Sequence, residues 1–388
     1  MSNYLYLRKY RIVVASSTAE IDSKQPTKGN TGTDNTQNTK NENSNENKEY
    51  ALDVSLLHCV FRVRRGMDFN NHAEIKIYNL NKETEDKIIK EGDRLIIEAG
   101  YEGYLNTIDI KPEDTKKTVG SNFVSQKDSV KRSEDKKETT QQVQETTPKQ
   151  YGKIFDGQIV QTIRSKENNT DYVLTLVCMD GDTFLNMNFI SLSCVRGQNP
   201  RNVIETVVSK AEKPTQLNRV SSGISGQTLP RGKVYFGRPK DILNDVARGN
   251  NANVWISDGN VNVTKITDNY QSEALILTPQ NGLIDYPQQI QYGVSFRCLL
   301  NPQLTVLSMV QLKNTEINGM QLQMNAPGKT QPQTLQLDEE NMYQAYEVEH
   351  TGDTRGNDWY TTVNAYSRYG KDVVPAMMKG MSSNPNSI

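Results

Sequence analysis

The sequence has little of what most catalytic chemistry requires: 3 histidines, 4 cysteines and 2 tryptophans in 388 residues. Cys59, Cys178, Cys194 and Cys298 are scattered and none forms a CxxC pair, so the clustered ligands of a structural zinc site are lacking and free, buried thiols are expected. His58 beside Cys59 does not change this, because neighbours in a strand point to opposite faces. No apolar run approaches the roughly 20 residues of a spanning helix. Charge of one sign is absent too: Lys+Arg 45 against Asp+Glu 46 leaves a net charge of -1, with no overall attraction to nucleic acid or anionic membrane. There is no GxxxxGK(S/T) phosphate loop, and GISG at Gly223 to Gly226 lacks the spacing of a nucleophile elbow and reads as a loop. The opening MSNYLYLRKYRIVV alternates like a strand and has no small-residue cleavage site behind a separate apolar region. A soluble protein made and folded in the cytoplasm is expected.

Present instead is one phrase written twice. KIFDGQIVQTIRSKENNTDYVLTLVC, Lys153 to Cys178, and MYQAYEVEHTGDTRGNDWYTTVNAY, Met342 to Tyr366, each set an alternating run, a polar loop and a second alternating run in series, which is the pattern of a long antiparallel hairpin. Alternation places Phe155, Ile159 and Ile163 on one face, where Leu174, Leu176 and Cys178 can meet them. In the second copy Tyr346 and Val348 lie opposite Glu347 and Glu349. Two such hairpins predict two related β-domains.

The mean hydropathy of -0.70 is low largely because of two polar inserts, about 16–48 and 107–149, whose compositions cannot offset ordering entropy by burial. Without them the first half reads as strands at Tyr4 to Ala15, Ala51 to Arg64, Ala73 to Tyr78 and Gly92 to Tyr101, a helix from Lys82 to Lys90, and the first hairpin. The middle changes character. Pro200 behind Asn199 starts a helix with a Val203, Ile204, Val207, Val208, Ala211 stripe, and Pro239 starts another with Ile242, Leu243, Val246 and Ala247 on one face and Gly249 at its stop. Asp258 and Gly259 within NVWISDGNVNV signal a two-residue hairpin turn. Strands return at Gly293 to Leu300 and Leu304 to Leu312, followed by a Gln-rich stretch, Asn314 to Glu340, and the second hairpin. A loose tail with a short helix near Val373 to Met378 is expected after Gly370. The fold class expected is mainly β with a smaller α/β part: two similar antiparallel β-barrel domains at 1–196 and 268–370, a small α/β domain at 197–267 between them, and a tail at 371–388.

Two stretches imitate active sites. MDGD, Met179 to Asp182, begins like a calcium loop but puts Phe184 where an oxygen ligand belongs, and reads as a turn after the return strand. HTGDTRGNDW, His350 to Trp359, gathers a His, Asp and Arg, yet Gly352 and Gly356 among Thr, Asp and Asn are what a turn between two strands requires. Glu347 and Glu349 share a strand face that reads as solvated.

GDRLIIEAGY, IFDGQIVQTI, LPRGKVYFGRPKDILNDVARGNNANVWISDGNVNV, NGLIDYPQQIQYGVSFRCLLNPQL and EVEHTGDTRGNDWYTT resemble, in this order, the tail hub proteins of bacteriophages and related contractile injection systems. The resemblance spans roughly Val54 to Tyr366 apart from the second insert. It implies a homotrimer in which two barrels per chain form a six-membered ring, adapting a six-fold tail tube to a three-fold spike and lining a channel for DNA. Its implied partners are the tail tube protein, the central spike and other baseplate components, with DNA in transit. Its place is the virion tail, assembled in host cytoplasm. Candidate interface loops are Ser165, Lys166, Glu167 and Asn168 in the first hairpin and Thr351, Gly352, Asp353 and Arg355 in the second. No catalytic residue, cofactor or metal ligand is assigned. The competing readings are a tail-tip peptidoglycan hydrolase using His350 and Asp353, and a carbohydrate-binding attachment module. The short stretch after Tyr366, where some hubs carry a fused hydrolase, speaks against the former.

Overall fold

The computed structural model describes residues 5–15, 51–67, 71–82, 84, 89–104, 150–167, 170–181, 184, 189–210, 216–224, 228–265, 274–290, 293–313, 315, 317–318 and 341–367. Both polar inserts, most of the expected 82–90 helix, most of the Gln-rich stretch and the tail lie outside them. The described chain is mainly β. The N-terminal half supplies β1 (Leu5–Ala15), β2 (Ala51–Asp53), β3 (Cys59–Gly66), β4 (His72–Tyr78), β5 (Arg94–Tyr104), β6 (Tyr151–Lys166) and β7 (Tyr172–Met179). The middle holds β8 (Ile190–Cys194), α1 (Pro200–Ser209), β9 (Gln216–Val220), β10 (Lys233–Gly237), α2 (Pro239–Arg248), β11 (Asn253–Ser257) and β12 (Asn260–Thr264). The last part adds β13 (Ala274–Ile276), β14 (Gln288–Ile290), β15 (Gly293–Leu299), β16 (Met309–Gln311), β17 (Met342–Asp353) and β18 (Trp359–Ser367).

Both long hairpins form as their alternation predicts, β6 with β7 and β17 with β18, and they belong to one 13-stranded sheet. The order β14-β15-β18-β17-β3-β4-β7-β6-β5-β1-β2 sets the β3–β4 hairpin between them, with β16 on β17 and β13 on β16. All pairs in it are antiparallel except β13 with β16. Two apolar cores lie on one side of this sheet. Phe61, Ile75, Leu95, Phe155 and Leu176 belong to the first, and Val294, Phe296, Tyr343, Val348 and Val363 to the second. The register carries one side through both halves, since Val63, His350, Thr361 and Cys298 are successive partners across β3, β17, β18 and β15.

Three sequence expectations change. A bulge between Ile159 and Gln161 shifts the period by one residue. Ile159 still meets Cys178, but Ile163 pairs with Thr175, leaves the core side and is 42% exposed. Ala51 to Arg64 is not one strand, because the segment after Asp53 turns, with Leu57 N donating to Val54 O, before β3 begins. Of Leu304 to Leu312 only Met309–Gln311 is strand. Ser308 N donates to Thr305 O, turning the chain so that Leu304 and Leu307 are buried from a loop.

Gly100 and Gly293 mark one backbone event in each half. Their φ values are 151° and 154°, and a Cβ would stand 2.0 Å from Gln150 O and from Ala365 O respectively. Neither obstacle is a side chain that can swing away. Gly100→Ala and Gly293→Ala are each expected to cost roughly 2–3 kcal/mol, combining backbone strain with overpacking. Urea denaturation checks this, and wild-type midpoints would show that the close approach is dispensable.

The middle unit has its own core. The α1 residues Val203, Ile204 and Val207 and the α2 residues Leu243, Val246 and Ala247 pack with Ile256, Val261 and Val263 of the sheet β11-β12-β9. Both helices start where the sequence predicts, with the Asn199 side chain accepting from Arg201 N at 2.8 Å. β8 pairs with β10, and its Ile190, Leu192 and Cys194 lie in this middle core.

Candidate functional site

The side of the large sheet opposite the cores is polar, and across β3, β15, β17 and β18 its charges form pairs. Alternation along β17 turns Glu347 and Glu349 to this side, and β3 turns Arg62 and Arg64 beside them. Arg62 donates to Glu349 through Nε at 2.8 Å and Nη2 at 2.9 Å, and Arg64 pairs with Glu347. Asn364 Nδ2 donates to Glu347 at 2.9 Å, and Arg297 on β15 donates from Nε to Asp285 at 2.8 Å. The carboxylate pair is thus shared out between two guanidiniums. With Arg62 side chain 66% exposed, such pairs contribute only about 0–1 kcal/mol each, so their effect is to neutralise the surface more than to hold it together.

Both hairpin turns reach the same end of this sheet. Asp353 closes the β17–β18 turn by accepting from the amides of Arg355 at 2.9 Å and Gly356 at 2.7 Å, and it meets His58 Nε2 at 2.8 Å. Burial opposes ionisation of Asp353, but those amides and His58 hold its carboxyl below the usual value. The His58 ring stacks on Tyr78 at 4.4 Å, and Glu167 at the tip of the first hairpin acts on the Tyr78 phenol. Burial, and then Glu167, push the Tyr78 phenol up to about 12. Arg8 on β1 donates to Gly356 O at 2.6 Å and Asn357 O at 2.9 Å, and Arg355 donates to Leu56 O at 3.1 Å. Of the residues singled out in the sequence, Asp353 is therefore joined to His58 and, through its ring, to Tyr78, with Glu167 acting on the Tyr78 phenol. Ser165 and Lys166 are exposed nearby on β6, Thr351 and Gly352 continue β17, and Asn168 lies outside the described residues. Arg8 and Tyr78 carried no sequence signal, and His58 stood out only beside Cys59; they lie 345, 275 and 295 positions from Asp353.

His350 does not join this group. It faces the cores, fully buried, with Nδ1 2.9 Å from Thr361 Oγ1, while Asp353 turns the other way. Beside it a polar cluster docks the middle unit. Arg65, its side chain 3% exposed, donates to Ile154 O and lies 3.2 Å from Asp258 Oδ1 at the β11–β12 turn. Asp180, also buried, accepts from Gly259 N at 3.0 Å in the same turn.

Two opposed titrations follow. Burial and then the charge of Asp258 push Asp180 up from 3.8 to about 7, while burial and the Arg65 charge pull His350 down from 6.5 to about 3. Stability supplied by Asp180 is complete below about pH 3.8 and lost as pH rises through 7; that supplied by His350 is complete above 6.5 and lost as pH falls through 3. Between those limits the slopes offset each other. Asp180→Asn is expected to leave a denaturation midpoint that climbs from pH 4 to 6.5, and His350→Asn one that falls from pH 4 to 7. Profiles unchanged from wild type would refute the assignment.

Solved phage tail proteins match along most of this chain. The 43 kDa tail protein of prophage MuSo2 from Shewanella oneidensis is 9% identical, with 93% of this chain and 99% of that chain covered and a TM-score of 0.48. The tail protein from Neisseria meningitidis is 8% identical over 97% and 100%, with a TM-score of 0.48. The E. coli c3393 protein, described as a type VI secretion component with structural similarity to T4 tail proteins gp27 and gp5, is 8% identical over 81% and 75%, with a TM-score of 0.44. No family of sequences and no curated protein matches.

Proposed function

We propose that this chain is the structural hub of a phage tail or baseplate, a homotrimer that adapts a six-fold tail tube to a three-fold spike. The observation that carries the reading is the single sheet in which two long hairpins each stand over their own core. Each half closes as a tube-type barrel, the first around the β1–β7 core and the second around the β13–β18 core. The α/β unit, 197–267 with β8 added, lies between them in sequence, and 371–388 follows as a tail. Three chains then present six barrels in a pseudo-six-fold ring, whose closure buries barrel edges between neighbours.

The ion-paired polar side lines the channel in this arrangement. Matched charges give DNA no strong phosphate contacts to hold it, so it passes without sequence-specific binding. The turns with Glu167 and Asp353 contact the neighbouring ring, either tail tube protein or spike, and other baseplate components surround the hub in the virion tail. Light scattering on the purified chain should give the mass of a trimer, and electron microscopy should give rings with six barrels around a pore. A strictly monomeric protein would end this reading.

A further inference from the structure

The middle unit meets the large sheet around β11 and the turn that follows it. Trp255 packs with Met67, Val306 and Leu307 of the body, and Ile256 closes on Gly181 so tightly that no Cβ fits there. Next to this apolar part the contact is polar: Arg65 with Asp258, and Asp180, only 2% exposed, beneath the amide of Gly259. Three buried atoms along this seam, Arg65 Nε, Asn71 Oδ1 and His350 Nε2, have no hydrogen-bond partner among the described residues. Asn71 O accepts from Asp180 N, and the pairing of Val63 with His350 and of Arg65 with Val348 puts His350 and Arg65 at neighbouring positions on one side of the sheet.

A polar network left partly unpaired away from water gives little net stability, and opening such a seam hydrates every one of its groups. The helices α1 and α2 pack with β11 and β12 in a core separate from those of the sheet, so the unit keeps its own packing when the seam parts. The charged groups facing Asp180 are Asp258 on the unit and Arg65 on β3. Ionised in place, Asp180 is a second carboxylate beside Asp258 with one guanidinium to serve both. We propose that the seam is a pH-sensitive latch, in which the α/β unit stays docked while Asp180 is protonated and comes off the sheet, still folded, once Asp180 ionises. Burial, and then the Asp258 charge, raise docked Asp180 from 3.8 to about 7, so the docking it supplies is complete below about pH 3.8 and is lost as pH rises through 7.

Hydrogen exchange of the full chain, with each rate divided by the intrinsic rate at that pH, reads the latch at the Gly259 amide, which loses its Asp180 acceptor on opening. His350 titrates in the opposite sense, so the wild type is compared with Asp180→Asn at each pH. The ratio of their opening constants is expected to rise roughly 80-fold between pH 5 and 8. At pH 8 the wild-type Gly259 amide should be at least about 100-fold less protected than amides of α2 and β18, because it exchanges without unfolding of either core. A flat ratio overturns the latch, and so does Gly259 protection equal to that of α2 and β18, which would mean exchange only through unfolding of the whole chain. Asp258→Asn gives a second reading should Asp180→Asn not fold. It removes the neighbouring carboxylate, so the rise in Gly259 exchange should level off at a lower pH than in the wild type, and an unmoved plateau overturns the proposal as well.

Discussion

Arg65→Ala is expected to destabilise the chain by about 3 kcal/mol, the lower end of what removing one partner of a buried ion pair costs. The lower end applies because the Asp258 side chain is 28% exposed and water takes over part of its solvation. Ile154 O also loses its donor, and the turn at Asp258 and Gly259 loses the cation that ties it to the large sheet. Arg65→Met, which keeps most of the volume, should recover only the packing share. The decisive comparison is a double-mutant cycle with Asp258→Asn by urea denaturation: a coupling near zero would mean that Arg65 and Asp258 are neighbours without being partners. Hydrogen exchange should rise first in β11 and β12, because these strands are held to the sheet from their turn.

Trp359→Ala should cost more, about 4 kcal/mol, the range for emptying a large aromatic site. Trp359 begins β18 in the second hairpin, yet it packs in the first core. Its ring lies 5.5 Å from Phe61 and 5.8 Å from Tyr10, the Arg8 guanidinium stands 5.5 Å over it, and Nε1 donates to Gly100 O at 3.3 Å. Removing it takes contacts from β1, β3 and β5 together. Unfolding should also lose cooperativity, with the two halves separating into distinct transitions by calorimetry. Trp359→Phe keeps most of the burial and loses the Gly100 bond, so a cost of roughly 1–2 kcal/mol is expected. If alanine were tolerated as well as phenylalanine, the ring would not be what joins the halves.

The catalytic-looking cluster shows how far sequence proximity can mislead. His350 and Asp353 are three apart, and strand alternation sends them to opposite sides, one between two cores and one into a turn. Glu347 and Glu349 do share a side, as their spacing says, but what makes that side neutral is Arg62 and Arg64, nearly three hundred positions earlier. The group around Asp353 likewise depends on Tyr78 and His58 arriving from β4 and the turn before β3.

What the sequence determined by itself is local: period-two alternation specified the two long hairpins, proline after a capping position specified α1 and the start of α2, and Asp258 with Gly259 specified the turn between β11 and β12. These follow from backbone sterics and side-chain direction within a few residues. What only the tertiary structure decided is every relation between such pieces. The bulge that turns Ile163 outward, the placement of β3 and β4 between the hairpins, the passage of Trp359 into the other core and the burial of Asp180 all come from long-range pairing. Their energies depend on which strand arrives alongside, and no pattern along one strand encodes its neighbour.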